Sequence, residues 1–266
     1  MMVLIGIGSA GSNIVEKFGD NHKKITIKAG SEIPEFSSPE EYEENLTIAK
    51  KLLKFKEDEC FFFVCGAAKI ASASLRLLET IKNKKVNIVY ICPEELLLSP
   101  QQKKANKVIF NVMQEYTRSG LFNSMWLFSN KIISDELPSI TMGNMWDKIN
   151  EAIVNALENV LYFRGERPFM GSHHEQREIS RIMTVEFGDF EKNEKKLYFP
   201  LDNTTEICYI NIVSDNEMKE NKNLLNNFRQ RITNDRDKKI NSSFTVFWGN
   251  YKHSFYYAIH FTHFLQ

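Results

Sequence analysis

The order of apolar runs predicts an α/β protein: a doubly wound, largely parallel sheet, followed by a second, smaller α+β domain. Three observations carry this expectation. Continuous apolar runs of the kind buried on both faces (Met1 to Ile7, Cys60 to Cys65, Val86 to Cys92) alternate with stretches of helical period. Two of those runs break directly into turns of small residues, Gly6 to Asn13 and Gly66 to Ser74. Beyond Phe163 the composition changes, and a strand–helix–strand–strand order follows with its own apolar faces.

The first run turns through Gly6, Gly8 and Gly11 into a helix carrying Asn13, Ile14, Val15 and Phe18. Such a turn suits an anion. Glycine lets the backbone approach closely, and the free N–H groups and positive dipole end of the helix face the charge. A dinucleotide fingerprint would also need a carboxylate at the end of the second strand. That strand, Lys24 to Lys28, ends in Lys28, Ala29, Gly30 and Ser31, with Glu32 expected out in a loop. The turn also serves plain close packing, so it does not decide the ligand alone.

A loop from Gly30 to Pro39 precedes a helix expected over Pro39 to Phe55, with Leu46, Ile48, Ala49, Leu52 and Leu53 on its buried face. The strand Cys60 to Cys65 enters the second small-residue turn and a helix through Leu75, Leu77, Leu78 and Ile81. Val86 to Cys92 is stopped by Pro93, Gln101 to Tyr116 is amphipathic, and Met125 to Phe128 is a short strand. Trp146 to Phe163 forms a long helix with Ile149, Ile153, Leu157, Val160 and Leu161 on one side. In a sheet wound this way the ligand lies beyond the carboxyl ends of the strands, where the two turns would converge. Arg164 to Ile182 reads as a connecting loop, Glu206 to Val213 as a strand and Asn216 to Ile232 as a helix. Ser243 to Trp248 and Ser254 to Phe261 are strands joined by Gly249 to Lys252. The expected domains are 1–165 with the long helix, a connector 166–182, and 183–266.

Lysine plus arginine equals aspartate plus glutamate at 34 each, so nothing pulls the chain toward nucleic acid or an anionic membrane surface. The longest apolar runs are too short to span a bilayer, and the first residues read as a strand without a charged leader, so a cytoplasmic protein is expected. Cys60, Cys65, Cys92 and Cys208 lack metal-ligand spacing and read as reduced thiols in apolar runs. His173 and His174 have no third ligand at a matching spacing and read as a solvated pair.

Gly6-Ile7-Gly8-Ser9-Ala10-Gly11-Ser12-Asn13 resembles the first nucleotide loop of the tubulin/FtsZ superfamily, and the order of elements resembles the FtsZ-like form along nearly the whole chain. The resemblance implies a tubulin/FtsZ-like, Rossmann-like sheet with a long central helix. Gly8, Ser9, Ala10, Gly11 and Asn13 would then contact nucleotide. Gly66, Ala67, Ala68 and Lys69, continuing through Ile70, Ala71 and Ser72, stand at the family's second phosphate loop. Lys103-Lys104 resemble the start of the helix after the sugar-binding loop. Asn150 and Glu151 stand where the family reads guanine, and Thr184 to Asp189 resembles the loop that completes the next subunit's site, with Glu186 and Asp189 as its carboxylates. The implied ligand is GTP or GDP, with Mg2+, and the implied partner is another copy of the chain in a head-to-tail polymer. Carboxylates placed this way would polarise and orient an attacking water, which is most of what phosphoryl transfer needs.

The chain departs from the pattern in the second loop. Ala67, Ala68, Ala71 and Ser72 replace glycines, and Ile70 puts a β-branched side chain where a backbone must approach phosphate. Gln101 and Ala105 replace the sugar-contacting Glu and Arg, and Phe190 to Thr205 takes the place of a long helix. Three readings stand: a self-assembling protein with a guanine-nucleotide site and hydrolysis in doubt, a nucleotide-free structural or interaction protein on the same fold, whose partner is another protein, and, least favoured, a nicotinamide-dependent oxidoreductase.

Overall fold

The structure, a computed structural model, describes residues 2–45, 47–137, 140–173, 179–190 and 194–265. The chain divides into two compact units, Met1–Val154 and Asn155–Gln266.

In unit 1 the elements run β1 (Val3–Ile7), α1 (Gly8–Lys17), β2 (Lys23–Ile27), α2 (Pro39–Glu44), α3 (Thr47–Leu52), β3 (Glu59–Val64), α4 (Ser74–Glu79), β4 (Lys85–Cys92), α5 (Pro100–Arg118), β5 (Ser124–Ser129) and α6 (Asn130–Glu136). The helix α7 (Met145–Gly165) leads into unit 2. The strands lie in the order β2-β1-β3-β4-β5, each pair parallel, as the alternation of strand and helix requires. Every residue of β1, and Cys60 to Val64 of β3, is buried, which is why these segments read as unbroken apolar runs. The helix α5 starts on a capping box: Ser99 Oγ accepts from Gln102 N–H, Gln102 Oε1 accepts from Ser99 N–H, and Pro100 holds the first turn.

Two helices in unit 1 differ from the sequence expectation. Pro39 to Phe55 forms α2 and α3 rather than one helix; Leu46 lies outside the described residues, and Leu52 is exposed while Ala49 and Leu53 are buried. The short α6, capped by Ser129, has too few apolar positions to show a period.

Unit 2 holds β6 (Met170–Gly171), β7 (Ile182–Asp189), β8 (Glu194–Leu197), β9 (Glu206–Ser214), α8 (Asp215–Glu220), α9 (Leu224–Asp237), β10 (Asn241–Gly249) and β11 (Phe255–Thr262). The strand order is β7-β11-β9-β10-β6, with β8 on the other side of β7. β10 runs parallel to β9, and β11 is antiparallel to both β7 and β9. The turn after β10 therefore does not make a hairpin: the chain crosses back over β9 and inserts its last strand in the middle of the sheet. α9 packs Leu224 and Phe228 against Val213 and Val246. The single helix expected over Asn216 to Ile232 is divided, with Asn221 ending α8.

The four thiols are free; Cys60 and Cys208 are buried, and burial pushes the Cys60 thiol up to about 12. Among the described residues no helix is long and apolar enough to cross a membrane, and no group of three His, Cys, Asp or Glu side chains is placed to hold a metal ion.

Candidate functional site

The turns after β1 and β3 leave neighbouring parallel strands at their carboxyl ends, and they meet. A Cβ on Gly8 would lie 3.2 Å from Ile70 Cγ2 and 3.6 Å from Ala68 Cβ. Gly8 has φ +68°, a conformation that glycine adopts without strain, and opens α1. Ser9 and Asn13 are exposed and Ala10 is half-buried. The first turn of α1 carries no side-chain cap and no acidic residue, so its unpaired N–H groups and positive dipole end suit an anion.

Gly6 and Gly11 serve a different purpose. A Cβ on Gly6 would sit 2.6 Å from Gly11 O, and one on Gly11 would strike the Phe63 carbonyl oxygen on β3. Ser12 Oγ donates to Gly6 O at 3.1 Å across the same corner. These residues allow helix and sheet to touch, and the position a Gly11 side chain would take is filled by β3.

In the second turn, Lys69 to Ala73 form a 3-10 turn leading into α4. Gly66 packs under α5: a Cβ there would strike Tyr90 Oη and lie 3.1 Å from Asn106 Cα. Tyr90 Oη donates to Asn106 Oδ1 at 2.8 Å, and burial holds this phenol far above its ordinary value. Ile70 is 4% exposed, with a methyl group against Gly8. Ile70 and Ala68 therefore pack at the corner beside Gly8, between the two turns. The helix end is suited to an anion, whereas the second turn carries side chains after Gly66 where a backbone approach would need glycine.

Beside the second turn lies a cleft of ≈530 Å3, within the range of small-ligand sites. Ala67, Ala68 and Lys69 line it, with Gln101, Lys104 and Ala105 from α5 and Ser37 to Pro39 from the loop before α2. Ser72 Oγ bridges the walls by donating to Pro39 O at 3.1 Å and Lys69 O at 2.9 Å. Lys104 was singled out in the sequence, whereas the contributions of Ser37 and Ser38 were missed. Their available signal was the pair of Ser-Pro helix starts, Ser38-Pro39 and Ser99-Pro100, whose helices α2 and α5 both begin at this cleft.

Asn150 and Glu151 lie on α7. Glu151 pairs with Lys148 at 2.8 Å and with Lys17 at 3.8 Å, and Lys17 also pairs with Asp147 at 3.1 Å. The Lys148 hydrogen bond, reinforced by the charges of Lys148 and Lys17, holds the Glu151 carboxyl below its ordinary value. Lys17 sits one helical turn beyond Asn13, so this face of α7 adjoins the Asn13 face of α1. Asn150 is buried at 8% exposure.

Thr184 to Asp189 is not a loop. It is most of β7, paired with β11 on one side and β8 on the other. Gly188 leaves room for the Tyr256 ring, where a Cβ would strike it, and Tyr256 Oη donates to Glu186 Oε1 at 2.8 Å. His260 Nε2 lies 3.5 Å from the other carboxylate oxygen, and the Glu186 side chain is 13% exposed. Burial pushes this carboxyl up, but His260 and the Tyr256 hydroxyl outweigh it and hold it below its ordinary value. Glu186 is thus engaged within its own sheet, and Asp189 ends the strand opposite Phe255 and Glu194.

Glu32 lies in the turn after β2, as expected. Its carboxylate folds back on the end of β2, accepting from Lys28 N–H at 2.7 Å and Thr26 Oγ1 at 3.1 Å. It occupies the place of a ribose-binding acid, but its oxygens are used locally. His173 Nε2 contacts Glu166 O at 2.9 Å, and His174 lies outside the described residues.

No protein-family model and no curated sequence matches the chain. Solved structures do. A dimer of FtsZ from M. jannaschii superposes with TM-score 0.68 at 10% identity, over 98% of this chain and 87% of that one. GDP-form protofilaments of TubZ from Bacillus thuringiensis serovar israelensis give TM-score 0.70 at 13% identity, over 100% and 84%. The GDP-bound monomer of CetZ1 from Haloferax volcanii gives 0.64 at 15%, over 100% and 95%. The chain has the tubulin/FtsZ fold over its whole length; at these identities the likeness is one of fold.

Proposed function

We propose that this chain assembles head to tail with copies of itself, and that assembly does not depend on turnover of a guanine nucleotide. The likeness to FtsZ and TubZ, seen as dimers and protofilaments, supports self-association. The observation that supports the second half is the packing of Ile70 and Ala68 beside Gly8, between the two turns. Glu186 points the same way, since Tyr256 and His260 engage it inside its own sheet.

A second reading keeps GTP or GDP, with Mg2+, as a bound but unhydrolysed ligand. The uncapped start of α1 and the cleft edged by Lys69 and Lys104 support it. Light scattering and phosphate release, followed across a protein concentration series with GTP, with GDP and without nucleotide, test both. The expected result is assembly to the same extent in all conditions and no phosphate release. Assembly that requires GTP, with release rising faster than protein concentration and lost in Glu186→Ala/Asp189→Ala, would overturn the proposal. Nucleotide extracted from the purified protein, without turnover, selects the second reading. A chain that stays monomeric throughout would overturn the self-association half of the proposal.

A further inference from the structure

The self-association proposed above is the premise here, and two surfaces of the molecule supply its contact. In unit 1, the chain leaving β4 forms a short 3-10 turn, Glu95–Leu97, with no buried residue. Leu96 is 81% exposed and Leu97 63%, and Glu94 and Glu95 precede them. Adjacent leucines held this far into water form a convex apolar knob with a negative base.

In unit 2, the end of α7, the segment after it and the end of β10 wall a pocket of ≈320 Å3. Phe163 and Phe247, buried and 4.8 Å apart, form its floor. Tyr162, Phe169 and Trp248 form exposed walls at 61%, 58% and 44%, with Phe169 and Trp248 in edge contact at 5.4 Å. Arg167 lines the pocket and Lys252 follows its Tyr251, both exposed; Glu166 is the one opposing charge in the lining. Neither Arg167 nor Glu95 forms an ion pair with another described residue.

We propose that the Leu96–Leu97 knob of one copy seats in the aromatic pocket of the next, with Glu94 and Glu95 facing Arg167 and Lys252. A pocket of aromatic rings beside an arginine is the composition of an interface hot spot, and the acidic base of the knob is opposite in charge to Arg167 and Lys252. Knob and pocket are different surfaces, so each contact leaves one of each unused, and the assembly can extend without closing.

The test uses the full chain in two variants, Leu96→Asp/Leu97→Asp and Trp248→Glu, with circular dichroism melts to show that each is folded. Light scattering should show the critical concentration raised at least about tenfold in either variant. Mixed in equal amounts, the two should form a heterodimer by sedimentation velocity, because the intact pocket of the first meets the intact knob of the second; neither alone should dimerise. Charge reversal provides a milder pair: Glu95→Arg or Arg167→Glu weakens assembly, and the two together restore it. Wild-type assembly unchanged by folded variants would overturn this contact and leave the proposed function standing. Blocked assembly without a heterodimer would overturn the pairing of knob with pocket. A wild type that never assembles would remove the premise and the contact together.

Discussion

The turns after β1 and β3 occupy equivalent places on neighbouring strands, yet they have kept different residues. The first retains Gly6, Gly8 and Gly11; the second retains Gly66 alone. Gly6, Gly11 and Gly66 are each pressed against another part of the protein, and a Cβ at Gly6 or Gly11 would meet backbone. Gly8 holds a left-handed backbone. The positions that carry side chains, Ala67 to Ile70, line the cleft or pack beside Gly8. Glycine thus stands where the fold itself needs the space, and packing or backbone conformation accounts for all four.

The sharpest way to break this comparison is Gly11→Val. The side chain would enter the Phe63 carbonyl, and relief requires moving α1 off the sheet, so a loss of about 4 kcal/mol or more is expected in urea unfolding. A folded, stable variant would show that the glycine serves something other than packing. Next comes Ile70→Ala, which empties a buried site and should cost about 2–4 kcal/mol while exposing the start of α1. If Ile70 is what excludes phosphate, calorimetry should find tighter GTP binding in this less stable protein; weaker or unchanged binding would mean that the gap never faces an anion.

Gly66→Ala should cost about 1–3 kcal/mol, less than Gly11→Val because the first atom met is the movable end of Tyr90. Tyr90→Phe alone loses a hydrogen bond worth about 1 kcal/mol, but combined with Gly66→Ala it should recover part of the loss, giving a measurable coupling in a double-mutant cycle. A smaller effect separates Glu186 from a solvated loop carboxylate. Its folded value lies below the ordinary 4.5, so its contribution is present above that pH and is lost as pH falls through the folded value. Glu186→Gln should flatten the acid side of the stability profile in urea titrations below pH 4.5. Smallest of all, Lys69→Ala at an exposed position should shift stability by less than about 0.5 kcal/mol.

The strands and the first turn were legible because burial on both faces and close backbone approach leave local marks: unbroken apolar runs and glycines. The cleft was half legible. Its residues come from the second turn and from two capped helix starts, but nothing local says that those starts adjoin. Thr184 to Asp189 misled because glycine and carboxylates read as a loop end, while their partners, Tyr256 and His260, lie some seventy residues on. Gly188 is explained only by the ring that covers it. Glu32 was rightly placed in a loop, but nothing local shows that a short return of the chain brings its carboxylate onto the strand it follows.

The position of β11 has a consequence for how the protein is made. As the chain leaves the ribosome, β7, β9 and β10 emerge before the strand that must lie between β7 and β9. Until β11 arrives, two long strands present unpaired backbone on facing edges, an invitation to foreign strands. The sheet of unit 2 can close only around its last segment, through contacts distant in sequence, so its formation is late and slow compared with the local strand–helix units of unit 1. Nascent chains halted before Phe255 should therefore depend on a chaperone that shields β-edges, while their first half is already compact.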